Sequence, residues 1–289
     1  MKTDQNTRFL VSELHIRGQI VQLEHSYQSV LANADYPPAV AELLGQALAA
    51  VSALGSIIKL RGSIIMQMQG DGPLHTLVVQ ANNAGEIRGL AHGYEALDEE
   101  ANFSELLGVG RLVMTVDAQG GKRYQGIVQL EGEQLSDVLG IYFEQSEQLK
   151  TSILLAANNR RATCFLLQQL PGTGGQKPHE SWQHAKILSD TLTEPELLEL
   201  DAEQILHRLF HQQEVQVYEP VPLTFRCRCS REKVIPAIVQ MGYKEAMLLI
   251  EEQGEITVNC EFCNQTHRFD RIDVASLFKA HAKAPARQQ

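Results

Sequence analysis

A chain of 289 residues, 44% hydrophobic and 21% charged, has the composition of an ordinary globular protein and the length for one large domain or two smaller ones. Thirty-five acidic against 25 basic residues give a formal charge of −10, which repels phosphate backbones unless positive charge gathers on one face. The opening MKTDQNTRFL is polar and the longest charge-free apolar stretch, 43–58, is shorter than a bilayer span, so neither secretion nor membrane insertion is expected and the location implied is cytoplasmic.

In chain order, the Ala/Leu-rich stretch 40–58 predicts a helix, and 63–69 and 74–80 predict strands around the turn Gly70-Asp71-Gly72-Pro73. Asn82-Asn83-Ala84-Gly85 turns the chain toward a strand at 87–91. Segments 112–117 and 124–130 flank Gln119-Gly120-Gly121-Lys122 as a hairpin. Mixed helical signals fill 135–157 before a strand at 162–169. Strands adjacent to strands indicate an α+β class, a mixed α/β core domain over 1–175, rather than a doubly wound sheet.

Pro171-Gly172-Thr173-Gly174-Gly175 closes that core, and 176–222 reads as an acidic helical connector without strand alternation until Val215. Ala202, Ile205, Leu206, Leu209 and Phe210 recur there at helical spacing, opposite Asp201, Glu203, Gln204, His207 and Arg208. So short a helix depends on docking its apolar stripe onto something else. Pro220 and Pro222 then end the helical region before a small C-terminal domain, 223–289, with a helix at 233–241 and a strand at 255–259. From residue 221 onward ten basic residues face eight acidic ones, so the acidity of the chain lies ahead of this tail.

Five cysteines are placed unevenly: Cys164 stands alone, and the others form Cys227-x-Cys229 and Cys260-x-x-Cys263. An odd number without a signal sequence points to a reducing compartment, where paired thiols serve metals or redox chemistry more often than structural disulfides. Two short-spaced pairs of soft thiolates suit one zinc ion per chain, held tetrahedrally, with Arg226, Arg228, Arg231 and Lys233 offsetting the negative charge of the site. Four cysteine ligands leave no open coordination position, which disfavours zinc hydrolysis.

Two readings of a closed site remain: a knuckle that only holds the tail together, and a redox switch. Oxidation of a thiolate pair removes ligands and withdraws the metal's folding free energy, on the order of 10–16 kcal/mol in small zinc domains. A tail of this size has little core to replace it. The tight Cys-x-Cys loop favours the switch, because its disulfide is strained and readily reduced again, and the adjacent arginines are expected to lower the thiol pKa.

The run LTFRCRCS at 223–230, Met241-Gly242-Tyr243 and GEITVNCEFC at 254–263 closely resemble the redox-regulated 33 kDa heat-shock chaperonin family of bacteria. The resemblance extends to Gln69-Gly70-Asp71-Gly72-Pro73-Leu74, to Gly85-Glu86-Ile87-Arg88-Gly89, and to Tyr36-Pro37 followed by Leu43-Leu44-Gly45, and so covers essentially the whole chain. Cys164 matches no ligand position of that family, and His267 stands where an aromatic residue such as Tyr is more usual. The resemblance implies an ATP-independent holdase, not an enzyme. It would be zinc-bound and inactive when reduced, and would lose zinc, form two disulfides, dimerise and bind unfolding client proteins under oxidative stress. Carried over, the zinc ligands are Cys227, Cys229, Cys260 and Cys263, the disulfides join Cys227 to Cys229 and Cys260 to Cys263, and 176–222 is the linker that unfolds.

Other signals are weaker. Cys164 lies among apolar residues and reads as an inert core thiol. His207 and His211 are four apart on a helix without a third ligand to complete a metal set, and His179 and His184 carry less. Gly172 to Lys177 has the glycines of a phosphate loop but neither its spacing nor a helix start after Lys177-Pro178. Gly70-Asp71-Gly72-Pro73 reads as a tight turn. The main alternative is a zinc-ribbon nucleic-acid binder using Arg226, Arg228, Arg231, Lys233, Arg268 and Arg271 with Phe262 and Phe269 as stackers, and the acidity of the remainder counts against it.

Overall fold

The computed structural model describes residues 4–56, 62–94, 101–118, 123–147, 149–170 and 176–283. The chain divides into two compact units, residues 1–226 and 227–289. In the first, the order is β1 (Gln5–Val11), β2 (Ile16–Leu23), α1 (His25–Leu31), α2 (Pro38–Gly55), β3 (Gly62–Gly70), β4 (Thr76–Asn82), β5 (Glu86–His92) and α3 (Phe103–Leu107). There follow β6 (Gly110–Ala118), β7 (Tyr124–Gln129), α4 (Leu135–Tyr142), β8 (Thr151–Ala157), β9 (Ala162–Gln169), α5 (Gln176–Ser189), α6 (Glu194–Glu199) and α7 (Ala202–Phe210). Three short strands end the unit: β10 (Val215–Val217), β11 (Val221–Pro222) and β12 (Thr224–Phe225). The second unit holds α8 (Arg231–Met241), α9 (Tyr243–Gln253), β13 (Ile256–Asn259), β14 (Thr266–Phe269) and α10 (Arg271–Lys283).

The first unit is built on two six-stranded sheets. One runs β10-β1-β2-β9-β8 with β11 also on β1, and the other runs β12-β5-β4-β3-β6-β7. Pairing is antiparallel except where β12 joins β5 in parallel. This is the expected α+β class. Helix α2 starts with Pro at its first position and packs on strands of both sheets, with Leu44, Ala47, Leu48 and Val51 fully buried. Burial on nearly every side explains its unbroken apolar sequence: among the described residues it alone has the length and hydropathy of a membrane span, and 78% of it lies inside the protein.

The far face of the first sheet carries a second core. Phe9, Val11, Ile16, Ile20, Phe165 and Leu167 meet Trp182, Leu197, Ile205, Leu206, Leu209 and Phe210 from α5 to α7. The stripe at 202–210 thus has its dock on the sheet. Phe9 lies across Gly18, where an added Cβ would come within 2.1 Å of the ring, so β2 needs glycine there. The connector helices are locally well signed: Thr193 with Glu196 and Asp201 with Gln204 form capping boxes on α6 and α7. The apolar stripe is satisfied only while it lies on the sheet.

The structure differs from the sequence reading at 151–157, which is strand β8 and not helix. Leu and Ala favour helix locally, but β8 pairs residue by residue with β9 from Thr151↔Gln168 to Ala157↔Ala162, and that tertiary pairing wins. The β6–β7 hairpin forms as expected, while its Gln119–Lys122 turn, the 171–175 glycine stretch and the end of the 40–58 helix lie outside the described residues. Gly70-Asp71-Gly72-Pro73 is a structural turn: Asp71 Oδ1 accepts the Val109 N–H at 2.7 Å, and the Gly72 and Leu74 amides donate to Leu107 and Leu106.

Candidate metal centre

In the second unit, Cys227 and Cys229 lie in the extended segment ahead of α8, and Cys260 and Cys263 in the turn joining β13 to β14. The β13–β14 ladder runs from Ile256↔Phe269 to Asn259↔Thr266 and sets the turn's position. Within the turn, the Cys263 and Asn264 amides donate to the Cys260 carbonyl at 3.2 and 2.7 Å, Cys260 N–H donates to the Gln265 carbonyl, and Asn264 takes a φ of 54° to close it. Asn is among the few residues that adopt that conformation readily.

The four sulfur atoms lie within 4.8 Å of one another, with Cys227 Sγ 3.6 Å from Cys260 Sγ and Cys229 Sγ 3.5 Å from Cys263 Sγ. A tetrahedral ion with metal–sulfur bonds of about 2.3 Å places its ligands roughly 3.8 Å apart, so the arrangement fits a metal ion of the zinc type. All five cysteines are free thiols. Among the described residues this is the one cluster of three or more metal-ligating groups. The set contains no carboxylate or imidazole, and four thiolates complete a tetrahedron without room for water.

The thiols are not equivalent. Burial alone would raise Cys227, but the Cys229 amide and hydrogen bonds from Cys263, Cys260 and Cys229 outweigh it and bring its pKa to about 7. Burial and its sulfur neighbours push Cys229 up, and burial does the same for Cys263. The expected lowering by arginine is not what sets Cys227. Those guanidinium groups are occupied by carboxylates: Arg226 by Glu86 at 3.0 Å, Arg231 by Asp273, Arg268 by Glu255 and Arg271 by Glu251. Phe269 is fully buried with Arg231 over its ring at 4.5 Å, so it presents no face to a nucleobase. Each of these four arginines thus has a carboxylate partner that a phosphate would have to displace.

Gln265 is a site residue that spacing did not reveal: its Oε1 lies 3.2 Å from Cys229 Sγ and accepts from the thiol. His267 lies opposite Val258 in the ladder, is 7% exposed, and its Nε2 has no partner among the described residues. Elsewhere, Cys164 sits on β9 among the residues packed around α2, fully buried, and burial pushes its thiol far up. His207 and His211 are exposed, their rings 6.0 Å apart, and His184 is exposed on α5. The His179 side chain lies outside the described residues.

The sequence profile of the family described as Hsp33 protein matches residues 4–270. The 33 kDa chaperonin of Pseudomonas aeruginosa is 47% identical over 281 residues, covering 96% of this chain and 95% of that one. Its counterpart in Shewanella loihica is 42% identical over 288 residues and covers both chains completely. Among solved structures, the 33 kDa chaperonin of Thermotoga maritima has a TM-score of 0.85 at 20% identity, covering 97% of this chain and 100% of its own, which bears on the fold alone. The family profile and the two bacterial relatives define a chaperone. The chain belongs to the Hsp33 protein family.

Proposed function

We propose that this chaperone is a redox-regulated, ATP-independent holdase of the reducing cytoplasm, closed while its thiols are reduced and zinc-loaded, and opened by oxidation. The observation that carries the reading is the far face of the first sheet: Phe9, Ile16, Ile20, Phe165 and Leu167 are covered by the amphipathic helix α7 and its neighbours α5 and α6. Proteins seldom hide so large an apolar surface under a removable cover without a use for it.

Zinc bound by Cys227, Cys229, Cys260 and Cys263 would supply folding free energy, on the order of 10–16 kcal/mol, to a unit whose fully buried core is Ile238, Ala246, Ile250, Ile256, Phe269 and Val274. Bound to zinc, all four sulfurs would be held as thiolates, the form that an oxidant attacks. In each pair two thiols give up two electrons and two protons to one peroxide, which leaves as two waters. The resulting disulfides, Cys227–Cys229 and Cys260–Cys263, no longer supply thiolates, and the C-terminal domain 223–289 loses its cross-link. The connector 176–222 then opens from the core domain 1–175, and the uncovered sheet binds unfolding clients and supports a homodimer. Neither nucleic acid nor membrane belongs to this cycle.

The test is suppression of aggregation of a thermally unfolding protein by reduced zinc-loaded and peroxide-treated samples, with metal analysis of both. One zinc per reduced chain, and suppression confined to the treated sample, are expected. Equal suppression in both states would reduce the thiol site to a structural knuckle. Tight RNA or DNA binding with a steep salt slope would replace the reading altogether.

A further inference from the structure

The face beneath the connector is not purely apolar, and its polar groups carry an inference that rests on the reading above. Gln22 of β2 lies on the same side as Ile16 and Ile20, is 6% exposed, and donates through Nε2 to the main-chain carbonyl of Leu200 at 2.8 Å. Arg161, in the turn between β8 and β9, donates through Nη1 to the carbonyl of Leu198 at 3.1 Å. Both carbonyls belong to the C-terminal end of α6, where a helix leaves its last acceptors without internal partners.

Both donors are held by the core. Gln22 stands in register between Gln5 of β1 and Thr163 of β9. Glu24 takes Arg161 at 3.1 Å through Nη2 and Arg160 at 2.8 Å, while Asn158 Oδ1 accepts the amides of both arginines and fixes the turn. None of these supports lies in the connector, so Arg161 keeps its aim and Gln22 its place on the sheet when it departs. A ligand that covered them without offering an acceptor would strand two buried donors, a loss comparable to the affinity of a weak complex.

We propose that Gln22 and Arg161 are main-chain-reading donors of the client site, and that the segment around Leu198 and Leu200 is a resident stand-in for a client. The partner that fits is a polypeptide with apolar side chains flanking free backbone carbonyls. Folded proteins have almost all such carbonyls paired internally, whereas unfolding ones do not. The two donors thus select for the unfolded state without reading sequence.

The experiment uses full-length protein, reduced and peroxide-treated, with Gln22→Leu and Arg161→Leu variants. The probe is a synthetic peptide of residues 194–212 and its analogue with an ester in place of the 200–201 amide, whose carbonyl is a weaker acceptor. Each variant is expected to raise client capture in the reduced state, by loosening the connector, and to weaken peptide binding in the oxidised state roughly tenfold. A purely structural latch would give the first effect without the second, and that result overturns the proposal. Should a variant fail to fold, the ester tests the bond from the ligand side, although it also removes the Asp201 N–H that caps α7. Equal affinity of ester and amide peptides for the oxidised wild type overturns the proposal, and a weaker ester whose helix content matches the amide's supports it. Client capture that the amide peptide does not compete for would refute the surface reading itself, and this proposal with it.

Discussion

The sheet β10-β1-β2-β9-β8 is covered on both faces, by helices of opposite character. On one side α2 is buried nearly all round, with only Pro38 and Glu42 exposed, and contacts both sheets at once. On the other, α7 buries one stripe and turns Glu203, Gln204 and His207 to solvent. A helix apolar on every side has no stable state away from its core, whereas an amphipathic one can leave and remain hydrated. Two coverings of one sheet therefore differ in what each would do if displaced, and the amphipathic one adjoins Gln22 and Arg161.

The largest effect should come from removing metal. In Cys260→Ser, zinc content should fall to zero and the second unit should lose its fold, a change on the order of 10 kcal/mol in metal-linked stability. Hydrogen exchange after peroxide and mild heat should then show 176–222 losing protection while α2 keeps it. Equal protection of the connector before and after would break the coupling. Trp182 of α5, the single tryptophan of the chain, is 7% exposed in the core against the sheet and offers a second readout, since its emission should shift to the red on release.

Next in size is a charge placed under each cover. Leu48→Asp, at a fully buried position of α2, should cost on the order of 4 kcal/mol or more and yield little folded protein. Leu209→Asp, equally apolar and 3% exposed, should retain zinc and the two-sheet core while capturing clients without oxidation. If Leu209→Asp unfolds the whole chain, the connector is as integral as α2 and the contrast between the faces disappears.

Much of this was legible in sequence where chemistry is local. The thiol pairs carry their ligand geometry in their spacing, and the 202–210 stripe announces that something must cover it. What covers it was not legible, because the N-terminal strands that form the dock do not announce themselves. In β2, IRGQIVQL is buried on both faces, so Gly18, Gln19 and Gln22 interrupt any clean alternation. Strand β8 was hidden for the converse reason: SILLAA has helical preference, and its pairing partner becomes visible only in three dimensions. The arginines near the thiols misled because their partners, Glu86 above all, lie far away in the chain. Gln22 and Arg161 gave no signal at all, since a donor to a main-chain carbonyl has no sequence signature.

A smaller effect separates the two faces again. Cys164 packs on the α2 side of β9, so Cys164→Ser buries a hydroxyl there at a cost of about 1–3 kcal/mol. Thermal stability should fall by several degrees, while zinc content and oxidative activation are retained. Lost activation with zinc intact would instead make this thiol part of the sensor.

The smallest effect is acid sensitivity, and its sign differs between the covers. Glu24, which holds Arg161, is lowered below its ordinary 4.5 by its hydrogen bond from Arg160, against opposing desolvation, and by the charges of Arg161 and Arg160. Glu196 of α6 is lowered by the Thr193 amide and hydroxyl and by Arg208. A carboxylate with a lower pKa folded than unfolded stabilises the fold above its unfolded value and loses that contribution as pH falls through its folded one. Both therefore weaken the connector below about pH 4.5. Glu42 of α2 is raised by burial and by the Glu194 carboxylate of α6, so it protonates as pH falls toward 4.5 and relieves a cost before those contributions are lost. In acid titration the Trp182 emission should shift before the far-ultraviolet circular dichroism is lost, and Glu24→Gln with Glu196→Gln should narrow that gap. Coincident transitions in the wild type, or an unchanged gap in the double variant, would show that these carboxylates do not distinguish the connector from α2.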